Sequence, residues 1–333
     1  MRSILVCKKA ERLKEVYEEE LLLDLQARAG LDLCVYTREE ILASPMSFSD
    51  VDYLFSTWGM PVFAEEEIAS CLPNLKAVFY AAGTVQSFAR PFLKQGVKVY
   101  SAWAANAVPV AEYTVAQILL ANKGFFLQTR LMEQKRLEEA KALRNACIGN
   151  YGERIGLIGC GMIGSLVAEM LKTYHLEVLV YDPFLSAERA KALGVRSVSL
   201  EEIFSTCRVV SNHLANNEAT KNMLNYGHFS AMLPYATFLN TGRGAQVVEE
   251  DLVRALQERK DLCAVLDVTY PEPAPLDHPF YTLENCFLTP HIAGSLGGET
   301  HRMSEYMRQE WDALVSGRPT RYEVTEQMLQ TMA

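Results

Sequence analysis

The sequence predicts an α/β protein of two doubly wound parallel-sheet domains, one inserted into the other. Three observations carry this. At 333 residues the chain exceeds what one hydrophobic core ordinarily serves. Short β-type runs alternate with helical segments in two separate series, the pattern of parallel sheets with helices on their faces. Between the series, residues 155–164 read Ile-Gly-Leu-Ile-Gly-Cys-Gly-Met-Ile-Gly, an apolar run ending in Gly159, Gly161 and Gly164. A G-x-G-x-x-G at the junction of a strand and a helix is a phosphate-binding turn, and here nearly half of the chain precedes it.

The first series opens with a strand over Ser3–Cys7 and an amphipathic helix over Ala10–Ala29, stopped by Gly30. Leu33–Tyr36, Tyr53–Ser56, Ala77–Tyr80 and Val97–Tyr100 follow as short β-type runs with helical or turn segments between them. Ala107–Arg144 is a long helical stretch whose first part, Val108–Leu120, is nearly apolar all round. That pattern requires burial, in the domain itself or in a subunit interface.

The second series starts at Arg154. Strands are expected over 155–158, 177–181, 208–212, 236–240, 262–266 and 286–288, with helices over 162–174, 186–193 and 247–258. Glu299–Val315 leaves this rhythm as an amphipathic helix closed by Gly317 and Pro319. It packs back on the first domain, so the chain crosses between domains twice.

Composition narrows the function. The chain is 49% hydrophobic and 22% charged with a formal net charge of −9, and no Lys/Arg block appears, which argues against nucleic acid as a partner. The eight cysteines, at 7, 34, 71, 147, 160, 207, 263 and 286, are scattered singly. No C-x-x-C pair suggests a metal site, and single cysteines in apolar runs read as reduced thiols of a cytoplasmic protein. Neither a signal-peptide core nor a stretch long enough to span a bilayer is present.

Chemistry gathers at the ends of the second series of strands, where open α/β sheets bind ligands. In the glycine turn, Gly159 permits the tight bend, Gly161 the approach of a pyrophosphate and Gly164 close helix–strand packing. The N–H groups of Met162 and Ile163 then open the helix toward an anion. Asp182 closes the next strand, where a carboxylate accepts the ribose hydroxyls of adenosine and repels a 2′-phosphate, favouring NAD over NADP. Asn240-Thr241-Gly242-Arg243-Gly244 ends another strand, its two glycines leaving Arg243 free to point into a cleft and offer a carboxylate a two-pronged fork. Asp267 ends the strand before Thr269-Tyr270-Pro271-Glu272-Pro273, and Thr289-Pro290-His291 follows the last. Arg243, Glu272 and His291 together suit reduction of a carbonyl beside a carboxylate. Arg243 anchors and polarises, His291 gives the proton, and Glu272 holds the imidazolium.

These segments, in this order and approximate spacing, resemble the D-isomer-specific 2-hydroxyacid dehydrogenases, the group containing phosphoglycerate, D-lactate and glyoxylate/hydroxypyruvate reductases. The resemblance implies a Rossmann NAD-binding domain over 107–293, inserted into a flavodoxin-like substrate domain of residues 1–106 plus 294–333. It implies Arg243, Glu272 and His291 as the catalytic set acting on a small 2-keto or 2-hydroxy acid, with Asp182, Thr241 and Asp267 on NAD. Ala81-Ala82-Gly83-Thr84 resembles the loop whose amides, at Ala82 and Gly83, bind the substrate carboxylate. Ala105–Glu112 resembles the start of the helix through which such proteins form homodimers. An NAD(H)-sensing binding protein of the same fold is the alternative. Formate dehydrogenases of the family pair the histidine with a glutamine, against which Glu272 speaks. Two positions depart from the pattern: Ala215 stands for a usual proline in Ser211–Thr220, and Leu233-Pro234 where a lysine is common.

Overall fold

The computed structural model describes residues 1–147 and 149–330. The chain divides into two compact units, Met1–Asn106 with Ser295–Ala333, and Ala107–Gly294. Residues 331–333 of the expected terminal segment lie outside the described residues.

In the first unit, β1 (Ser3–Val6), β2 (Leu31–Tyr36), β3 (Tyr53–Ser56), β4 (Ala77–Tyr80) and β5 (Lys98–Ser101) form a parallel sheet in the order 5-4-3-1-2. Because strand side chains alternate between faces, each face has its own core. Ile4, Val6, Val78 and Tyr80 go to one, and Leu5, Ala77 and Phe79 to the other. Trp58, at the end of β3, packs against both cores.

In the second unit, β6 (Tyr151–Ile158), β7 (His175–Tyr181), β8 (Arg196–Ser197), β9 (Val209–Asn212), β10 (Thr237–Asn240), β11 (Cys263–Leu266) and β12 (Cys286–Leu288) run in the order 12-11-10-9-6-7-8. All pairs are parallel, with Ile155 beside Val209 and Ile158 beside Asn212. The strand order reverses between β6 and β9, the switch point at which such sheets open a ligand crevice. Among the described residues no helix is long and apolar enough to cross a membrane.

Several elements differ from expectation. The first helix is two, Ala10–Lys14 and Glu19–Ala29. Between them Val16 and Tyr17 turn into the core, at 0% and 2% exposed. The Glu15 and Val16 carbonyls accept the Thr300 and Ser304 hydroxyls at 2.5 and 2.7 Å instead of continuing a helix. Gly30 does stop the second piece, in the left-handed region at φ 61°. The long helical stretch expected over 107–144 is three helices, Trp103–Ala121, Phe125–Glu133 and Leu137–Ala146. The chain passes through positive φ at Gly124 and Lys135 between them. The terminal helix runs His301–Val315, after a 3₁₀ turn at Gly297–Thr300. Two strands of two residues each, β8 and β13 (Glu323–Val324), are too short to leave a periodic signal. β13 adds the single antiparallel pairing among the described residues, on β5.

Candidate active site

The glycine turn uses its three glycines for three reasons. Gly159 sits at φ 94°, and a Cβ there would lie 2.6 Å from the His213 carbonyl oxygen. A Cβ on Gly164 would lie 2.1 Å from the Gly159 carbonyl oxygen, so only glycine lets the helix Met162–Leu171 start this close to the turn. A Cβ on Gly161 would meet nothing within 4 Å. That open backbone, at the N-terminus of a helix whose first N–H groups take no side-chain cap, is a cradle for an anion such as a pyrophosphate. The N–H groups of Met162 and Ile163 belong to this first turn.

Asp182 follows β7 and reaches back to the same turn. One carboxylate oxygen accepts the Cys160 N–H at 2.6 Å and the other the Phe184 N–H at 2.8 Å. A carboxylate has lone pairs to spare beyond these two bonds. His213, just after β9, lies against this turn. Burial pushes its ring down to about 4, so it is neutral near pH 7. It contacts the Ser211 hydroxyl through Nε2 at 2.9 Å.

Arg243 is placed by a buried amide network. Asn212 Nδ2 donates to Asn240 Oδ1 at 3.0 Å and to Gln246 Oε1 at 2.6 Å. Gln246 Oε1 also accepts the Arg243 N–H at 3.1 Å, while its Nε2 donates to the Leu214 carbonyl at 2.7 Å. Asn240 Oδ1 takes the Gly242 N–H and Asn240 Nδ2 donates to the Arg243 carbonyl. Buried amides satisfied on all sides rigidify the backbone they hold. The flanking glycines serve closeness, correcting the idea that they free the side chain. Arg243 and its neighbours have no positive φ, but a Cβ on Gly244 would lie 2.1 Å from the Thr269 carbonyl carbon. The guanidinium is largely buried, which presses it below its ordinary value, while the Glu272 charge works the other way. Thr241 contacts the Thr114 hydroxyl at 3.3 Å.

The His291 loop is built on Asp267, 3% exposed at the end of β11. Its Oδ1 accepts the Thr289 hydroxyl at 2.6 Å and the Ile292 N–H at 2.8 Å, and Oδ2 the Ala293 N–H at 2.9 Å. The Asp267 carbonyl accepts the His291 N–H at 3.1 Å. These bonds hold His291 at φ 54°, a conformation that a non-glycine residue adopts only when its surroundings impose it. Asp267, expected on the cofactor, thus has a structural duty that the sequence reading did not foresee. His291 Nδ1 lies 2.6 Å from Glu272 Oε1, with both side chains partly exposed. With Nδ1–H given to a carboxylate, Nε2 is the nitrogen left for exchange with a ligand. Glu272 stands between Pro271 and Pro273, and both peptide bonds preceding those prolines are cis.

In the first unit, Ala82 and Gly83 follow β4. The Ser101 hydroxyl donates to their carbonyls at 2.9 and 2.5 Å. The Ala82 N–H goes to the Tyr80 carbonyl at 2.9 Å. Where Ala215 stands for a proline, the Thr220 hydroxyl ties the loop by donating to the Ala215 carbonyl at 2.6 Å. Sequence reasoning missed the Asn212–Asn240–Gln246 network and Glu249, described below. Gln246 inside the otherwise apolar run Ala245–Val248 was the one available hint.

Residues 115–293 match the family model described as "D-isomer specific 2-hydroxyacid dehydrogenase, NAD binding domain". A D-3-phosphoglycerate dehydrogenase of Archaeoglobus fulgidus is 29% identical over 280 residues, 83% of this chain and 52% of that one. A formate dehydrogenase of Chaetomium thermophilum is 32% identical over 231 residues, 67% of this chain and 62% of that one. The chain thus spans about half to three-fifths of the length of these relatives. Among solved structures, a phosphoglycerate oxidoreductase from Rhizobium etli shares the fold with a TM-score of 0.81 at 20% identity, covering 98% of this chain and 99% of that one.

Proposed function

The chain belongs to the D-isomer specific 2-hydroxyacid dehydrogenases, and from that premise we propose that it is an oxidoreductase exchanging hydride between NAD(H) and a small 2-keto or 2-hydroxy acid. The observation that carries the reading is the His291–Glu272 pair, 2.6 Å apart at the strand ends of the unit that also holds the glycine turn.

NAD is the cofactor of this domain, and the open backbone at Gly161 fits its pyrophosphate. When bound, it supplies or accepts the hydride. Gly159, Gly161, Met162, Ile163 and Gly164 hold the pyrophosphate and Asp182 the adenosine ribose; Thr241 and Asp267 also lie on the cofactor, Asp267 toward its nicotinamide side. Each side chain then has one task. The Arg243 fork takes the substrate carboxylate and polarises the neighbouring carbonyl; being largely buried, it faces less competition from water. In reduction, His291 Nε2–H protonates the oxygen that becomes the hydroxyl, and in oxidation the neutral nitrogen takes that proton back. Glu272 keeps Nδ1 protonated and the ring turned. The resemblance marks the loop at Ala82 and Gly83 as a carboxylate-binding loop of the first unit, with the Gly83 N–H as its donor, since the Ala82 N–H is given to the Tyr80 carbonyl.

Formate oxidation is disfavoured by the same pair. Removing hydride from formate leaves carbon dioxide, with no proton to transfer, so a carboxylate–imidazole couple would be idle there. An NAD(H) sensor needs no acid–base pair either. We read the protein further as a cytoplasmic homodimer. Eight free cysteines suit a reducing compartment. Leu120, Phe125, Met132 and Leu137, at 38–57% exposed on the three helices over 103–146, offer apolar side chains to a second copy.

The test is NADH oxidation against glyoxylate, hydroxypyruvate, pyruvate, phenylpyruvate and longer branched keto acids. Turnover of at least one that is abolished by His291→Asn supports the reading. Tight NADH binding without turnover of any of them would leave the sensor. Light scattering at two concentrations tests the dimer.

A further inference from the structure

The loop that carries Glu272 is held from two sides. On one, the Gly244 backbone presses against Thr269, where even a methyl group would not fit. On the other stands Glu249, the first residue of the helix Glu249–Glu258. Its Oε1 accepts the Tyr270 N–H at 2.8 Å, two residues before Glu272.

This carboxylate is in an unusual place. Glu249 is only 8% exposed, and glutamates are seldom buried unless something needs them there. A carboxylate in a helix's first turn is ordinarily explained by the free amides of that turn. Here the oxygen is spent on a different segment. Three other groups face it. His278 Nε2 lies 3.6 Å from Oε2, while its Nδ1 accepts the Phe280 N–H at 3.3 Å, so the neutral ring carries its hydrogen on Nε2, toward Glu249. Glu250 is the neighbouring charge on the same helix, and the Cys286 thiol on β12 also senses Glu249. Burial, with Glu250, pushes the Glu249 carboxyl up to about 7, and the Tyr270 N–H opposes that rise.

We propose that Glu249 is a positioning residue for the acid–base pair, fixing through the Tyr270 amide the backbone from which Glu272 reaches His291. This rests on the reading of His291 and Glu272 as that pair. The contact is short, 2.6 Å, so a displaced loop stretches it. Glu249 touches neither substrate nor cofactor; it acts only through Glu272.

The experiment compares the full-length wild type with Glu249→Gln, Glu249→Leu, Glu272→Gln and, as a neighbouring charge control, Glu250→Gln. Gln keeps a carbonyl oxygen for the Tyr270 N–H; Leu leaves that N–H without its side-chain partner. Three readouts are taken: keto-acid reduction, NADH affinity by fluorescence, and the ¹⁵N resonances of the His291 ring. Displacing a catalytic contact on the ångström scale costs about tenfold to hundredfold, so Glu249→Leu should lower kcat by about tenfold or more, with NADH affinity kept. Glu249→Gln and Glu250→Gln should stay within about threefold of wild type. The His291 Nδ1 resonance should move in Glu249→Leu toward its position in Glu272→Gln and stay put in Glu249→Gln. A folded Glu249→Leu with wild-type kcat, or with unmoved His291 resonances, overturns the proposal, as does an equal loss in Gln and Leu. Should Leu not fold, Glu249→Thr, too short to reach Tyr270, takes its place. If the wild type reduces no keto acid, the functional reading fails on its own, and the His291 resonances still decide whether Glu249 sets the contact.

Discussion

The two units are the same kind of sheet with different things at the ends of their strands. In Ala107–Gly294 the carboxyl ends of β7, β10, β11 and β12 lead into Asp182, Arg243, Asp267, Glu272 and His291, charged or titratable groups held by one another and by buried amides. In Met1–Asn106 with Ser295–Ala333, the loops after β3, β4 and β5 offer Thr57, Ala81, Ala82, Gly83 and Ala102, which are neutral and small. Their hydroxyls are turned onto backbone: Thr57 Oγ1 donates to the Ala81 carbonyl at 2.8 Å and Ser101 to those of Ala82 and Gly83. Shared architecture thus says nothing about shared work. Titratable groups bonded to one another gather at the strand ends of the second sheet, whereas the loops after β4 and β5 of the first present backbone and small neutral side chains.

The comparison predicts that the largest losses come from the second unit. His291→Asn removes the proton donor and acceptor while keeping a polar side chain. Keto-acid reduction should fall about a thousandfold, within the range for a general acid, while NADH affinity by fluorescence stays within about twofold. A loss under tenfold would mean that the proton comes from elsewhere and would break the asymmetry between the units at its strongest point. Arg243→Lys keeps the charge but not the fork. It should cost about a hundredfold in kcat/KM, which is about 2.7 kcal/mol, most of it as raised KM for the keto acid. Near wild-type kcat/KM would place the carboxylate on other groups.

Legibility in the sequence follows the same division. Charged residues at strand ends announce themselves, because nothing in a parallel core needs them; Arg243, Glu272 and His291 stood out for that reason. The glycine turn was readable because each glycine answers a separate steric demand, visible here as Cβ clashes at Gly159 and Gly164 and open space at Gly161. The strands other than β8 and β13 were readable from their apolar runs, to within four residues at their ends. What stayed hidden depends on distant partners. Gln246 serves Asn212, Leu214 and Arg243, and no local pattern encodes that set. Glu249 looks like any acid at a helix start until Tyr270 is found on it. The first helix read as continuous because its break is imposed by hydroxyls from Thr300 and Ser304, nearly the whole chain away. Gly242 and Gly244 were read as freeing a side chain, when Gly244 in fact admits the Thr269 backbone.

A smaller effect is expected from the first unit. Ser101→Ala removes the donor shared by the Ala82 and Gly83 carbonyls, loosening the loop without touching any charge. KM for the keto acid should rise about threefold to tenfold, the cost of about one lost hydrogen bond, with kcat and NADH affinity unchanged. If KM does not move, the loop after β4 takes no part in holding the keto acid, and the contrast between the strand ends of the two sheets is sharper still.

The smallest effect concerns stability and returns to the second unit's habit of burying charge. Glu249 is held at about 7 in the fold, above the ordinary glutamate value of about 4.3 in an unfolded chain. A carboxyl raised by folding binds its proton more tightly in the native state, so between those two pH values the native protein holds more protons than the unfolded one. Stability from this group is therefore greatest at the acid end and declines as pH rises through about 7. Glu249→Gln has no such dependence. The wild-type Tm minus that of Glu249→Gln should fall as the buffer goes from about pH 5 to about pH 8, by about 2 °C for a molecule of this size. His278, Glu250 and Cys286 face the same carboxyl, so the trend should be repeated in the Glu250→Gln background to separate their share. A difference that stays flat or grows with pH would mean that the Tyr270 N–H and His278 outweigh burial. The carboxyl would then stabilise the loop at all neutral pH values, and the second unit would carry its buried charge at no cost in stability.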